Sequence, residues 1–258
     1  MKKITAFLLA LATALALTAC GGGNKNVELT VFAAASMQET LTEIGENYKK
    51  DHPNVTLTFN FDSSGTLQTQ IEEGAVCDIF ISAGQKQMNA LAEGNYIKED
   101  TRFDLLENKV ALAVPEGNPA GINSYDDLKA GLEAGTVFLA MGNSDVPVGQ
   151  YTQKIFAYWG LDEAALSDCL TYGSNVKEVT TQVSEGLVDC GVIYGTDAFS
   201  AGLTVVDTAT EEMCGQVIYP AAVLSGSGHM DESKAFLDYV RSADGARVLE
   251  SVGFTPLG

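Results

Sequence analysis

The chain has 258 residues, with 34 acidic and 15 basic side chains, so its formal charge is −19. A nucleic-acid-binding protein needs clustered Lys and Arg against phosphate, and the sequence has no basic stripe of that kind. Hydrophobic residues make up 46% of the chain, which leaves room for one large domain or two smaller lobes. The charge excludes nucleic-acid binding, and the 2 histidines leave few donors for a His-based catalyst or metal site.

The N-terminal segment is typical of an export signal. Two lysines precede an apolar run that is short for a transmembrane helix. The run ends in Leu17-Thr18-Ala19-Cys20, which resembles the bacterial lipoprotein cleavage motif, and three glycines follow. This resemblance implies a signal peptide at residues 1–19, lipid attachment at Cys20 and a tether at residues 20–26. We therefore expect an exported lipoprotein on the bacterial cell membrane; an ordinary secretory signal with a chance cysteine is the alternative.

Four further cysteines leave the redox state open. Cys77, Cys169, Cys190 and Cys214 form an even number, which favours disulfides in an exported chain. Cys77 and Cys190 each begin an apolar, strand-like run, where a buried free thiol packs equally well. Free thiols and at least one disulfide stay as two alternatives. No CxxC or Cys/His spacing typical of a metal site occurs.

The first half of the mature chain alternates strands with helices. Apolar periodicity, capping signals and closing prolines or glycines set their limits. The predicted elements are strand Val27–Ala33, helix Met37–Lys50, strand Val55–Phe61, helix Ser63–Glu73, strand Asp78–Ser82 and helix Gln85–Glu93. The few polar positions within these strands are typical of a buried parallel sheet.

The strand–helix order repeats in the second half. The predicted elements are strand Val110–Val114, helix Tyr125–Leu132, strand Val137–Met141, a helix ending at Trp159, strand Leu170–Tyr172, helix Asn175–Glu185, strand Gly191–Tyr194, strand Val217–Leu224, and helices at Ala235–Val240 and Ala246–Ser251. The repeat predicts two α/β lobes, each a mostly parallel sheet flanked by helices. Lobe I takes residues 27–109 plus 222–258 and lobe II takes 110–221. Two crossing strands form a hinge, and a ligand would lie in the cleft.

Several predicted helices begin directly after a strand ends. Ser36, Ser64, Val148 and Val176 stand at such starts, and Tyr194 ends a strand. Ligands of open α/β sheets bind at the carboxyl ends of strands, where helix N-termini offer unpaired N–H groups and a positive dipole end. Converging helix ends would form an anion site without Lys or Arg. In the plain alternative the serines are only helix caps, the valines only pack, and the tyrosine is a buried strand aromatic.

Sequence motifs of catalysis are missing. The chain has no GxxxxGK[ST] phosphate loop, no GxSxG elbow and no HExxH pair. His52 and His229 lie in turn-like segments, and the acid pairs Asp126-Asp127 and Glu211-Glu212 are typical of solvated helix faces. We therefore expect no catalysis, and an exported enzyme that uses an acid pair is the rival interpretation.

Segments along the whole mature chain carry a family likeness. They are Val31-Phe32-Ala33-Ala34-Ala35-Ser36, Phe61-Asp62-Ser63-Ser64-Gly65-Thr66-Leu67, Cys77-Asp78-Ile79-Phe80-Ile81-Ser82-Ala83, Val146-Pro147-Val148-Gly149-Gln150-Tyr151, Gly191-Val192-Ile193-Tyr194-Gly195-Thr196-Asp197-Ala198 and Tyr219-Pro220. In this order they resemble the molybdate-binding proteins of ABC transporters, the ModA family. The resemblance implies a type II periplasmic-binding-protein fold and a monomer without a cofactor. It also implies capture of molybdate, with tungstate, and delivery to a membrane permease and its ATPase.

The same resemblance assigns five contacts to the oxyanion, with no side chain on the metal itself. Ser36 and Ser64 would donate hydroxyl and backbone hydrogen bonds. Val148 and Val176 would donate backbone N–H groups, and Tyr194 would donate its hydroxyl.

The chain departs from common family forms at three places. Val148 stands where Ala is frequent, which a backbone donor tolerates. Gly65 stands where another Ser often occurs, and we expect this to loosen the loop. Asp62 lies two residues from Ser64, and its charge would oppose a bound dianion unless it points away.

A pocket that offers only donors suits a fully deprotonated tetrahedral dianion. Hydrogen phosphate carries a proton, so one group would stay unpaired, at ~1–3 kcal/mol. Sulfate also lacks a proton, and only the size of the cavity distinguishes it. The same fold binding sulfate is therefore the first alternative function.

Overall fold

The computed structural model describes residues 26–257, whose strands form two separate sheets flanked by helices. One sheet has six strands and the other has five. The signal peptide predicted at residues 1–19, the lipid site Cys20 and the tether up to residue 25 lie outside the described residues. The two flanked sheets confirm the predicted α/β fold.

The first lobe begins with seven elements in chain order. They are β1 (Val27–Ala34), α1 (Gln38–Asp51), β2 (Val55–Asp62), α2 (Ser64–Glu72), β3 (Ile79–Ile81), α3 (Gln85–Glu93) and β4 (Phe103–Asn108). Short 3-10 turns at Ala35–Met37 and Glu99–Thr101 precede α1 and β4.

The second lobe follows, and the chain then returns to the first. The second lobe contains β5 (Val110–Val114), α4 (Tyr125–Ala134), β6 (Leu139–Gly142), α5 (Pro147–Trp159), β7 (Leu170–Gly173), α6 (Val176–Ser184), β8 (Cys190–Tyr194), α7 (Gly195–Ala201), β9 (Thr204–Thr208) and α8 (Glu211–Cys214), with a 3-10 segment at Glu163–Cys169. The returning elements are β10 (Val217–Val223), α9 (Met230–Val240), α10 (Ala243–Ser251) and β11 (Thr255–Pro256).

Both sheets are mixed rather than mostly parallel. The strand order is β11-β4-β10-β3-β1-β2 in the first sheet and β7-β6-β8-β5-β9 in the second. β1 pairs in parallel with β2 and β3, and β6 with β7 and β8, as the strand–helix alternation predicts. β10 and β5 pair antiparallel with both of their neighbours. β5 brings the chain into the second lobe and β10 returns it to the first. Each therefore runs opposite to the strands beside it.

Two chain crossings join the sheets. β4 ends at Asn108 and β5 begins at Val110, so Lys109 alone separates the two sheets. The return passes from β9 through α8 to β10, which pairs with β4 from Val217 onward. The lobe boundary predicted between residues 221 and 222 therefore lies inside β10 and moves to before Val217. The uninterrupted apolar run of β10 gives the sequence no sign of that boundary.

The first sheet is buried on both faces. Val31 and its neighbour Phe32 on β1 belong to different apolar clusters, because successive strand residues point to opposite faces. This two-sided burial explains the nearly continuous apolar runs of the strands. Within residues 26–257, every helix is too short or too polar to cross a bilayer.

The four cysteines within the described residues are free and buried. Burial raises the pKa of both Cys77 and Cys190 to about 12, so these thiols are protonated at neutral pH. The structure therefore favours the free-thiol alternative, in which each side chain packs as a small apolar group.

Candidate functional site

The predicted contact residues meet in one small cavity between the lobes. Ser36 and Ser64 reach it from the first lobe, and Val148, Val176 and Tyr194 reach it from the second. Each of the five is at most 5% exposed. The cavity has a volume of about 10 Å³, so the lobes are closed on it. The carboxyl ends of strands from both sheets thus supply one site.

Ser36 lies in the 3-10 turn between β1 and α1 and is not a helix cap. Met37 occupies the N-cap position of α1, and no side chain caps this helix. The Ser36 hydroxyl lies instead 2.9 Å from the hydroxyl of Tyr219 on β10. The cap interpretation of Ser36 is therefore wrong, because a tertiary contact uses its hydroxyl.

Ser64 is the first residue of α2, and its neighbour Ser63 is the cap. Ser63 Oγ accepts the N–H of Thr66 at 3.1 Å. Ser64 is fully buried, and its Oγ accepts the N–H of Ala83 at 2.9 Å. Because a backbone N–H only donates, Ser64 Oγ accepts here and keeps its own hydrogen for another partner. The cap interpretation of Ser64 is wrong as well.

Three α-helices, α2, α5 and α6, begin at the cavity. Val148 is the second residue of α5, after Pro147, and Val176 is the first residue of α6, after its cap Asn175. N–H groups in a first turn have no acceptor within the helix, and the dipole makes this end positive. Because proline has no N–H, the donors of α5 begin at Val148. Both lobes therefore direct neutral donors to one place, which is an arrangement suited to an anion.

Tyr194 ends β8 and packs edge-on against Tyr219, with ring centroids 5.7 Å apart. Its hydroxyl lies 3.5 Å from the carbonyl oxygen of Ala83, which is a long hydrogen bond across the lobes. Burial raises the pKa of Tyr194 well above its ordinary value, so the hydroxyl keeps its hydrogen. A closer acceptor in the cavity would receive that hydrogen.

Asp62 places a negative charge at the wall of the cavity. Its Oδ1 accepts the N–H of Ser63 at 2.7 Å and faces Asn175 Nδ2 at 3.4 Å. Asn175 also caps α6 by accepting the N–H of Glu178 at 3.1 Å. The carboxylate is thus held by donors and joins the end of β2 to the start of α6 across the lobes.

No sequence pattern indicated an ion network that joins the buried Asp197 to the partly exposed Lys177 and the exposed Glu39. Lys177 Nζ lies 2.8 Å from Glu39 Oε2, across the lobes, and 3.1 Å from Asp197 Oδ1. Burial lowers the pKa of Lys177, but Asp197 and Glu39 raise it more, so the lysine stays charged. Burial raises the pKa of Asp197 to about 6, and Lys177 limits that rise. Asp197 Oδ2 has no hydrogen-bond partner within residues 26–257.

A second group that no sequence pattern indicated contacts Ser36 through Tyr219. The side-chain amide of Asn108, at the end of β4, donates to the hydroxyl of Tyr219 at 3.2 Å and to Thr196 Oγ1 at 2.9 Å. Both Asn108 and Tyr219 are buried. The sequence predicted the strand that carries Tyr219, and Tyr219-Pro220 belongs to the family likeness, but no sequence pattern linked Tyr219 to Ser36.

A cleft between two α/β lobes, closed over converging donors, is the architecture of a solute-binding protein. Residues 29–255 match the family of bacterial extracellular solute-binding proteins. This match covers nearly all of the described residues, and the chain belongs to that family.

Two relatives are similar to this chain over nearly their whole length. The chain is 34% identical over 262 residues to the provisionally named ABC transporter substrate-binding lipoprotein YvgL of Bacillus subtilis (strain 168), covering 98% of each protein. It is 32% identical over 260 residues to the molybdate-binding protein ModA of Haemophilus influenzae, covering 99% of each. The resemblance to the ModA family is confirmed.

A solved structure supports the same fold. The periplasmic molybdate-binding protein of Azotobacter vinelandii matches with a TM-score of 0.77 at 17% identity, covering 89% of this chain and 100% of that one. At this identity the likeness shows the fold alone.

The buried carboxyl of Asp197 predicts a pH-dependent term in stability. In the folded state the Asp197 carboxyl has a pKa of about 6, whereas the ordinary pKa of an aspartate is 3.8. The folded state therefore binds more protons between these values, and the free energy of unfolding falls as pH rises from about 4 to about 6. We expect Asp197→Asn to remove about 2–3 kcal/mol of that fall.

Urea unfolding at a series of pH values measures this term. Asp168→Asn, at an exposed carboxyl, controls for the loss of one acid. An Asp197→Asn protein with the same pH slope as the wild type would contradict the assignment.

Proposed function

We propose that this protein captures molybdate, and tungstate, between its lobes and delivers the anion to an ABC permease and its ATPase. One observation carries the proposal: Ser36, Ser64, Val148, Val176 and Tyr194 converge in one buried cavity from both lobes. The family and the ModA relative support it. The protein acts as a monomer, exported and held on the bacterial cell membrane by a lipid on Cys20.

The chemistry of these groups favours a fully deprotonated oxyanion. The Ser64 hydroxyl has a free hydrogen because its oxygen already accepts the Ala83 N–H. The first-turn N–H groups at Val148 and Val176 can only donate. Molybdate and tungstate have only acceptor oxygens, so they satisfy every one of these donors. A protonated anion would leave one donor facing a hydrogen.

The proposal assigns binding and no reaction to this site. The cavity needs no cofactor, because hydrogen bonds hold the anion through its oxygens and no side chain ligates the metal atom. Within residues 26–257, no group of three or more His, Cys, Asp or Glu side chains is placed to hold a metal ion. The remaining candidate, sulfate, uses the same donors and differs from molybdate in size.

A titration panel by calorimetry tests the proposal directly. We expect molybdate and tungstate to bind, with sulfate and phosphate at least about tenfold weaker, since an unpaired or stretched hydrogen bond to an anion is worth about 1.5–3 kcal/mol. Sulfate binding as tight as molybdate would make this a sulfate-binding protein. Binding of no oxyanion would refute the function.

The two serines are expected to act as ligand donors rather than helix caps. Ser36→Ala and Ser64→Ala each remove one hydroxyl donor, so the molybdate dissociation constant should rise at least about tenfold for each. Circular dichroism should show the native fold. Ser200→Ala, at an exposed position of α7, is the control. Unchanged affinity in both serine variants would show that their hydroxyls do not contact the ligand.

Closure of the lobes depends on Gly65. A Cβ on this residue, the second of α2, would lie far inside van der Waals contact with the backbone carbonyl of Asp145, in the loop before α5. Glycine here permits close approach of the lobes, rather than loosening the loop as the sequence analysis expected. Gly65→Ala should therefore weaken molybdate binding at least about tenfold, since overpacking costs about 1–3 kcal/mol.

Calorimetry measures the affinity of this variant, and thermal unfolding without ligand separates closure from folding. Alanine suits a helix better than glycine, so we expect the ligand-free stability to change by less than about 1 kcal/mol. Gly226→Ala is the control, because a Cβ there meets open space. Wild-type affinity in Gly65→Ala would show that the bound lobes do not approach as closely as the structure has them.

A further inference from the structure

A serine hydroxyl can donate or accept, so a serine in an anion site is selective only if something fixes its direction. For Ser64 the fixing group is evident, because the Ala83 N–H occupies its oxygen. Ser36 has no backbone donor in the same role. Its partner is the hydroxyl of Tyr219, which can itself donate or accept.

The direction of the Tyr219 hydroxyl is decided one step further back, at Asn108. The backbone N–H of Lys109 donates to Asn108 Oδ1 at 2.8 Å. This bond fixes which end of the amide carries the NH₂ group, because the flipped amide would place donor against donor. The NH₂ group then faces Tyr219 at 3.2 Å and Thr196 at 2.9 Å, and both of its hydrogens are used.

The Tyr219 oxygen must therefore accept from Asn108. Burial raises the pKa of Tyr219 well above its ordinary value, so its hydroxyl keeps its hydrogen at any physiological pH. Ser36 Oγ, at 2.9 Å, is placed to accept that hydrogen. Ser36 Oγ then keeps its own hydrogen, and its remaining direction is the cavity that it lines.

We infer that Tyr219, held by Asn108, is a specificity-determining residue that makes Ser36 a donor toward the ligand and so excludes protonated oxyanions. It is a positioning residue, because it acts through Ser36. The inference rests on the proposed oxyanion function and adds residues that set the choice among anions. The hydrogen bonds run in one direction, from Lys109 N–H through Asn108, Tyr219 and Ser36 to the ligand.

The alternative direction has the opposite consequence. If Ser36 donated to Tyr219, the lone pairs of Ser36 would face the ligand and repel a fully deprotonated dianion. Removing the Tyr219 hydroxyl would then release the Ser36 hydrogen and tighten molybdate binding. The sign of the change in affinity therefore distinguishes the two directions.

The test compares molybdate with hydrogen arsenate, a protonated tetrahedral oxyanion, in the wild type and in Tyr219→Phe. Mildly alkaline buffer gives both anions two negative charges, so the ratio of their dissociation constants isolates the proton. In Tyr219→Phe the Ser36 hydroxyl is free to turn and accept from arsenate. We expect the preference for molybdate over arsenate to fall about tenfold, with molybdate itself binding more weakly.

Two further variants keep the test decisive. Tyr125→Phe is the matched control, because Tyr125 is also buried and its hydroxyl has no partner within residues 26–257. Asn108→Asp replaces the donor that faces Tyr219 with an acceptor, which draws the Tyr219 hydrogen away from Ser36. The added charge acts on both dianions, so the ratio should again fall.

The outcomes separate the inference from the function it rests on. A wild type that binds no oxyanion refutes both. A wild type that prefers molybdate, with the same preference retained in Tyr219→Phe and Asn108→Asp, refutes the inference alone. Tighter molybdate binding in Tyr219→Phe also refutes it.

Discussion

The unpaired N–H groups at the starts of α2, α5 and α6 are the constraint on which the closed structure depends. Three positive helix ends and three inward hydroxyls cannot pair with one another, because all of them donate. Bringing the lobes together removes water from these donors, which is unfavourable unless an acceptor takes its place. Asp62 supplies one acceptor at the cavity wall, but it already binds Ser63 and Asn175. In the proposed function an oxyanion completes the set, so closure and capture are one event.

The acidic surface does not oppose an anion site of this kind. The formal charge of −19 is spread over the whole chain, and exposed charges are screened beyond ~8–10 Å at physiological salt. Lys177, which follows Val176 in α6, is bound by Glu39 and Asp197, so it contributes little net positive charge. In the proposed function the anion is therefore held by short-range dipoles and hydrogen bonds. Such contacts depend on direction, which a cluster of lysines would not provide.

The sequence predicted the features that local patterns encode. It did not predict features that depend on contacts between residues far apart in the chain. Most helices and strands were found from periodicity and caps. The five candidate site residues came from helix starts and a strand end, and family likeness then assigned them contacts. β4 and β9 were not predicted, because their polar and apolar residues lack the unbroken apolar run of the central strands. Ser36 has capping-box spacing with Glu39, yet its hydroxyl contacts Tyr219, 183 residues along the chain. No local pattern encodes that contact, nor the one between Lys177 and Glu39.

The residues that support Ser36 lie next to the two chain crossings between the lobes. Asn108 ends β4 at the first crossing, and Tyr219 lies on β10 just after the second, so both lie where opening moves the lobes least. The hydrogen bonds that join Asn108, Tyr219 and Ser36, and the bond from the Ala83 N–H to Ser64, all lie within the first lobe, so under the inference above they direct both serines in an open cleft as well. The first lobe thus presents oriented donors before closure. Val148, Val176 and Tyr194 arrive with the second lobe. Under the proposed function, selection against a protonated anion then begins in the open state, before the second lobe adds its binding energy.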